Sequence, residues 1–445
     1  MSNPAVDEKY EALRHRLAGT LSGDGRLAVV KAPPGSGKTH TLLEVVSRLV
    51  GDGARIAIGA QTNNQASDIA RRIGKQHPRM RCVRLASQSA APPTDLPPNV
   101  TWLTTPRDIP TTPGVTVSTV SKWQVSKDMG EFDLFAVDEA WQLGWASFMQ
   151  CAVLSEKFLM IGDPGQIPPL VPVPALRWDT APRPPHLAAP EIVLGDEDLV
   201  AQALVDSLPA CRRLPYESVD FVKPFYDFDF DAYAMPGARK VTTTADDQRP
   251  GVSALLRALD DGKPVVGTRS TPDRGLTGQA DPVLAREVHT LVQHLTAAGS
   301  RVTIDDAAPR QLTPTDIGVC ATHRAMVGEI HRQLGDQFAG VRVDTPERWQ
   351  GLERPMMVII HPLSGVMDPT PFDIETGRLC VMASRHQAGL IILARDHVEA
   401  SIMEFIPTAA HAPGGVDVVG IGHAAHRKFW SALRDQGRIF ELGEA

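Results

Sequence analysis

The chain has 445 residues, 42% of them hydrophobic and 22% charged, with a formal net charge of −7. At ~100–200 residues per domain this is chain enough for two to four domains with large buried cores, and too apolar for a disordered polymer. The acidic balance excludes a protein that coats nucleic acid by bulk basicity but leaves room for a local basic groove. Five scattered cysteines without a C-x-x-C pair argue against a zinc ribbon, an iron–sulfur site or a disulfide scaffold. No apolar run approaches the ~18 residues of a membrane helix, and the first residues, MSNPAVDEKYEALRHRL, lack an apolar signal core. A cytoplasmic protein with no membrane partner is the expectation.

In chain order, the first 170 residues alternate apolar runs with amphipathic stretches. Strands are predicted at 26–34, 55–62, 115–120, 134–140 and 157–163, with helices at 37–50 and 63–75. The runs are continuously apolar rather than alternating, which suits a parallel sheet covered on both faces. Residues 88–114, rich in Pro and Thr, read as an insertion or loop. Residues 168–190 are the most Pro-rich stretch and cannot be helix interior. The connection between halves is placed there or shortly after, through a helix at about 196–208. A second α/β pattern follows, with strands predicted at 263–269, 316–323, 340–347, 355–363 and 389–395 and helices at 283–298, 324–338, 376–387 and 423–437.

Three motifs carry chemistry. Ala32 to Thr39, APPGSGKT, follows an apolar strand and opens a helix, the setting of a phosphate-binding loop. Pro34, Gly35, Ser36, Gly37, Lys38, Thr39 and His40 are its nucleotide-binding candidates. The backbone amides of Gly35 to Lys38 would wrap a phosphate, Lys38 would bridge the terminal phosphates, and Thr39 would ligate Mg²⁺. In LFAVDEAWQ, Leu134 to Gln142, Asp138 and Glu139 close a buried strand. Asp138 would hold the metal and Glu139 would activate the attacking water, so the pair implies hydrolysis. In IGDPGQIPPL, Ile161 to Leu170, Gln166 could sense the γ-phosphate and Asp163 could fix the loop. FYDFDFD at 225–231 reads as a half-exposed strand or loop rather than a carboxylate cluster, and His423 and His426 lack the partners of a metal site.

APPGSGKT, DEAWQ and GDPGQIPP in this order resemble motifs I, II and III of superfamily 1 helicases, and the Upf-like group (Upf, Dna-two and senataxin types) most of all. The resemblance continues in GAQTNNQASDIARRI (59–73), VSTVSKW (117–123), LPACRRLPYESVDFVKPFY (208–226), DTPERWQGLERPMMVII (344–360) and GRLCVMASRHQAGLIIL (377–393). It implies an α/β fold of two tandem RecA-like P-loop NTPase domains, with parallel sheets, small insertions and a C-terminal helical extension. The boundaries implied are 1–205, 206–415 and 416–445.

The resemblance also implies roles. Lys38, Asp138, Glu139, Gln166, Arg213 and Arg385 would be catalytic, with both arginines reaching the γ-phosphate from the second half. Arg212 is the alternative to Arg213. Thr39 and Asp138 would hold Mg²⁺, Glu353 would contact the ribose, and Thr62, Asn63, Thr119, Trp123 and Thr345 would touch a bound strand. Core packing remains the competing reading for Trp123, Trp141 and Trp349. The implied activity is ATP hydrolysis driving a monomer along single-stranded DNA or RNA, in the 5′→3′ direction. The short segments between motifs favour translocation over unwinding. The alternative is a nucleic-acid-gated ATPase switch or assembly factor that controls a protein partner. Two departures stand out: no glutamine precedes Gln61, where relatives read adenine, and Ser384-Arg385-His386 stands where relatives carry Thr-Arg-Ala.

Overall fold

The computed structural model describes residues 3–169, 176–178, 180–272, 279–367, 369–404 and 417–444. Helix α1 (Pro4–Ser22) precedes an eight-stranded sheet built from β1 (Leu27–Lys31), β2 (Arg55–Ala60), β3 (Cys82–Leu85), β4 (Val100–Leu103), β5 (Gly114–Thr119), β6 (Leu134–Asp138), β7 (Phe158–Gly162) and β8 (Ala203–Ser207). The strand order is β4-β3-β5-β2-β6-β7-β1-β8, and every pair is parallel. Helices α2 (Lys38–Gly51) and α3 (Asn63–Gln76) are among its crossovers. Both faces are buried, one beneath α1, α2 and α3, the other beneath Trp123, Trp141 and Phe148. That double burial explains the unbroken apolar runs.

The second half repeats the plan. Strands β9 (Val265–Arg269), β10 (Ile317–Cys320), β11 (Arg342–Asp344), β12 (Arg354–Ile360), β13 (His386–Arg395) and β14 (Ile439–Glu441) form a six-stranded sheet in the order β11-β10-β12-β13-β9-β14. All of its pairs are parallel as well. It too has a core on each face. The chain is thus two RecA-like parallel α/β units in tandem.

Four expectations are corrected. The loop expected at 88–114 contains β4, which pairs with β3 at the sheet edge. The helix expected at 196–208 is a single turn, Glu197–Val200, followed by edge strand β8. Its apolar residues have helical spacing, but pairing with β1 wins. The helix expected over 376–387 stops at Ala383, because β13 starts at His386. The C-terminal helical extension is no appendage. Helix α5 (Val418–Asp435) packs on α4 (Thr376–Ala383), and β14 then pairs with β9 inside the second sheet. Part of the Pro-rich connection (170–175, 179) and residues 405–416 lie outside the described residues. Among the described residues no helix is long and apolar enough to cross a membrane.

FYDFDFD resolves by alternation. Tyr226, Phe228 and Phe230 pack ring to ring, while Asp227, Asp229 and Asp231 pair with Lys31, Lys223 and Lys9.

Candidate functional site

All strands of each sheet run the same way, so the motif residues gather at carboxyl edges, where open α/β sheets bind ligands. Lys31 ends β1, and the loop that follows turns through Gly35 (φ 60°) and Gly37 (φ 80°) into α2. Gly37 caps α2 in the left-handed region, which glycine enters without steric cost. Lys38 is buried, and its Nζ lies 3.4 Å from Glu139 Oε1. Asp138 is the last residue of β6. Its Oδ2 accepts from Thr39 Oγ1 at 2.7 Å and its Oδ1 from the Glu139 amide at 3.1 Å. Burial, and then the Glu139 charge, push the Asp138 carboxyl up from its ordinary range.

Glu139 itself has φ 55° and ψ 46°, a left-handed conformation rare outside glycine. Such positions cost ~1–3 kcal/mol and persist where surrounding structure enforces them. Here the turn brings the carboxylate to Lys38.

The third motif sits beside this pair. Asp163, at the end of β7, accepts from the Gly165 amide (3.0 Å), the Tyr226 hydroxyl (3.0 Å) and Gln166 Nε2 (2.7 Å). Asp163 therefore fixes the loop that carries Gln166. Gln166 Oε1 is buried without a hydrogen-bond partner.

The second half closes over these residues. A Cβ on Gly35 would stand 2.3 Å from Arg213 Cβ, so any side chain there would displace the arginine segment. The Arg212 amide donates to Gly35 O at 3.2 Å. Arg213 Nε donates to Glu353 Oε2 (2.6 Å) and its Nη1 to Ser384 O (3.0 Å). Arg212 points elsewhere. Its guanidinium lies over the rings of Tyr10 (4.5 Å) and Tyr233 (4.0 Å) and donates to Asp7 (2.8 Å). Of the two, Arg213 faces the motif residues of the second half.

Arg385 is 1% exposed. Its Nε donates to Val381 O at 3.2 Å, and its Nη2 is buried with no partner. Burial, then the Arg213 charge, lower it to about 10, while the Asp163 carboxylate acts in the opposite sense. Arg385 of the second half and Asp163 of the first thus share one electrostatic environment.

The other expected residues are placed as follows. Pro34 and Ser36 are buried in the loop, and His40 is exposed at the start of α2. Glu353 is engaged by Arg213 and by Gln387 Nε2 (2.7 Å). Thr62 caps α3 in a reciprocal capping box with Gln65, and Asn63 is exposed beside it. Thr119 caps the short helix Val120–Val125, and Thr345 precedes Pro346–Trp349. The carboxyl edge of the first sheet therefore carries Thr119 and Thr62 on β5 and β2, then the acids and the loop on β6, β7 and β1.

Trp123 is corrected. It is 2% exposed, and its Nε1 donates to Ile58 O at 2.9 Å. It cannot stack on a strand because Phe132 and the sheet cover it. Trp349 is likewise core, donating to Val319 O.

Two residues were not foreseen. Tyr10 of α1 lies with its hydroxyl 2.7 Å from Ser36 O and 2.8 Å from Ala210 O, tying the loop to the arginine segment. Tyr226 reaches Asp163 from the second half. Tyr10 could have been found, since Val6, Tyr10, Leu13, Leu17 and Leu21 repeat at helical spacing.

The His386 departure has a physical reason. His386 is wholly buried, and its Nε2 sits 2.9 Å from Ser218 Oγ, tying β13 to helix Tyr216–Val222. Burial, then Arg213, push its pKa down to about 3, and burial does the same to His426, down to about 3. Unfolded histidine titrates near ~6.5, so the unfolded chain protonates first. Stability is intact above about 6.5 and is lost as pH falls from there, by up to ~1.4 kcal/mol per pH unit for each group. The melting temperature is expected to fall between about pH 7.5 and 5.5, and more gently in His386→Asn. A flat profile would exclude neutral buried histidines.

Residues 6–110 match the sequence family described as AAA domain. No curated protein matches the sequence. Solved structures that resemble the chain include arterivirus nonstructural protein 10, a helicase, at 16% identity and a TM-score of 0.43, covering 82% of this chain and 59% of that one. The same arterivirus protein in complex with DNA gives 17% identity and a TM-score of 0.42, covering 82% and 60%. The helicase of PRRSV gives 13% and 0.40, covering 85% and 54%. The chain therefore spans less than two thirds of the length of these helicases.

Proposed function

We propose that this chain, whose motif order is that of the Upf-like superfamily 1 helicases, is an ATP hydrolase that moves on single-stranded nucleic acid. The observation that carries the reading is that the arginine segment of one half meets the phosphate-binding loop of the other: Arg213 packs against Gly35, and Arg385 shares the electrostatic surroundings of Asp163, beside Lys38 and Glu139. Phosphoryl transfer needs positioned positive charge more than covalent chemistry. Cations divided between two bodies make hydrolysis depend on how closely the bodies approach, which is what a motor requires.

The residues present fit a nucleoside triphosphate with Mg²⁺. Ser36 Oγ and Arg385 Nη2 are buried donors without partners that suit phosphate oxygens, and Gln166 Oε1 is an unpartnered acceptor that suits the attacking water; Thr39 and Asp138 offer paired hard oxygens 2.7 Å apart. Mg²⁺, held through Thr39 and Asp138, would neutralise phosphate charge. The loop amides and Lys38 bind and orient the triphosphate, and Glu139 takes the proton of the attacking water. Gln166, its Nε2 held by Asp163, would present Oε1 to the water attacking the γ-phosphate, and Asp163 connects through Tyr226 to the second half. Thr62, Asn63, Thr119 and Thr345 grip backbone phosphates of the strand, and the direction proposed is 5′→3′.

The test compares ATP turnover, at low salt, with single- and double-stranded DNA and RNA. Single strands are expected to raise turnover several-fold, with the effect lost at high salt as phosphate contacts are screened. Turnover indifferent to every nucleic acid would remove both the motor and the nucleic-acid-gated switch, leaving an assembly factor whose ATPase is not gated by nucleic acid.

A further inference from the structure

The loop that carries Gln166 belongs to the first half but is packed by the second. Ile167 sits in the apolar core that includes Leu379 and Val381 of α4 and Phe221 and Val222 of helix Tyr216–Val222. A Cβ on Gly377, the second residue of α4, would stand 2.7 Å from Gln166 O and 2.8 Å from Ile167 Cα. A Cβ on Gly165 would stand 2.7 Å from the Tyr226 ring. Only residues without side chains allow so close an approach, so the backbone around Gln166 is a seam between the halves.

Cys380, on the same helix, adds a polar contact at this seam. It is buried, and its Sγ lies 3.2 Å from Tyr226 Oη. The donor in that contact is set by the next one along. The Tyr226 hydroxyl has one proton, and it gives that proton to Asp163 Oδ1. The Cys380 thiol must therefore donate to Tyr226 Oη. Burial, and then the Asp163 charge, push the thiol up to about 12, so it keeps the proton it donates.

The order of donors runs from Cys380 to Tyr226 to Asp163, whose other oxygen accepts from Gln166 Nε2 at 2.7 Å. An ionised Asp163 can only accept, so the Gln166 amide must turn its –NH₂ inward and its Oε1 away. Burial works against that ionised form. Lys38 and Arg385 favour it, and Glu139 opposes it. Each hydrogen bond donated to the carboxylate helps to keep it an acceptor, and a hydroxyl that itself receives a hydrogen bond donates more strongly.

We propose that Cys380 and Tyr226 are positioning residues that act through Asp163 on Gln166: seating α4 against the first half sets the hydrogen-bond order that aims Oε1 at the attacking water. The same helix leads into Arg385, whose Nε is fixed to Val381 O, the residue after Cys380. One movement thus delivers the arginine and the aimed glutamine together. Water is held for attack only when the charge that assists it has arrived. The inference rests on the proposed ATP hydrolysis and adds a device that makes it depend on closure.

Tyr226→Phe keeps the ring that packs on Phe228 and Phe230 and removes only the hydroxyl. Turnover across ATP concentration is measured for wild type, Tyr226→Phe, Gln166→Ala and the double variant, and for Cys380→Ala and Cys380→Ser. Tyr226→Phe is expected to lower kcat by ~10-fold or more, within the range for a misplaced reacting group, with KM for ATP unchanged. In the Gln166→Ala background the same change should cost nothing further, because its route is already gone. Cys380→Ala should lower kcat less, and Cys380→Ser, which supplies a hydroxyl donor, should recover it. Wild-type kcat in Tyr226→Phe, losses that multiply in the double variant, or a Cys380→Ser protein no better than Cys380→Ala overturns the inference and leaves ATP hydrolysis in place. A wild-type protein without turnover overturns both.

Discussion

Arg385→Ala is expected to lower ATP turnover by ~10³-fold or more, the scale of an arginine supplied to a phosphoryl-transfer transition state. The side chain is anchored at one end and free at the other. Its Nε is fixed to Val381 O, while Nη2 is buried and unpaired. Among the described residues no carboxylate forms an ion pair with this buried cation, and Asp163 offsets its desolvation only at a distance; an incoming γ-phosphate would provide a direct counter-ion. Arg213 cannot substitute, because Glu353 and Ser384 already hold it. The loss should appear in single-turnover rates at saturating nucleotide. On the proposed reading Lys38 and the loop would still provide ground-state binding, so affinity for a fluorescent ATP analogue should change far less than the rate. Equal losses in both would place Arg385 in binding alone.

Glu139→Gln is expected to reduce turnover by ~10²–10⁴-fold, the contribution of a positioned general base. The substitution keeps size and hydrogen-bonding capacity but cannot accept the proton of the attacking water. It also removes the negative charge 3.4 Å from Lys38. Nucleotide affinity should therefore hold or rise, and the protein should accumulate in its ATP-bound form. Turnover within tenfold of wild type would remove Glu139 from that role.

The phosphate-binding-loop pattern and the paired acids could be picked out in the sequence because each is local and the two occur in order; Arg385 came only with the resemblance. The buried Arg84 of β3 was not legible. In CVRL it reads as a single polar residue within an apolar strand, and its partner Asn63 is brought near only by the fold. β3 and β4 were missed for a related reason: both are four-residue strands, one interrupted by Arg84 and the other set in Pro- and Thr-rich surroundings. Trp123 sits beside a motif, but proximity in sequence does not report which face a side chain takes. Here Phe132 and Ile58 O claim it. The choice between Arg212 and Arg213 depended on α1, whose Asp7 and Tyr10 capture the first and leave the second.

The placement of β14 bears on how the molecule is made. Its register partners lie in β9, and Arg438, just before it, donates to Pro264 O across 174 positions of chain. Contacts of such sequence separation form slowly. On a ribosome, the first unit can finish folding while the second still shows an open strand edge along Val265–Arg269. Until Ile439–Glu441 emerges and docks there, that edge is the nascent protein's point of exposure to aggregation and the natural place for a chaperone to hold it.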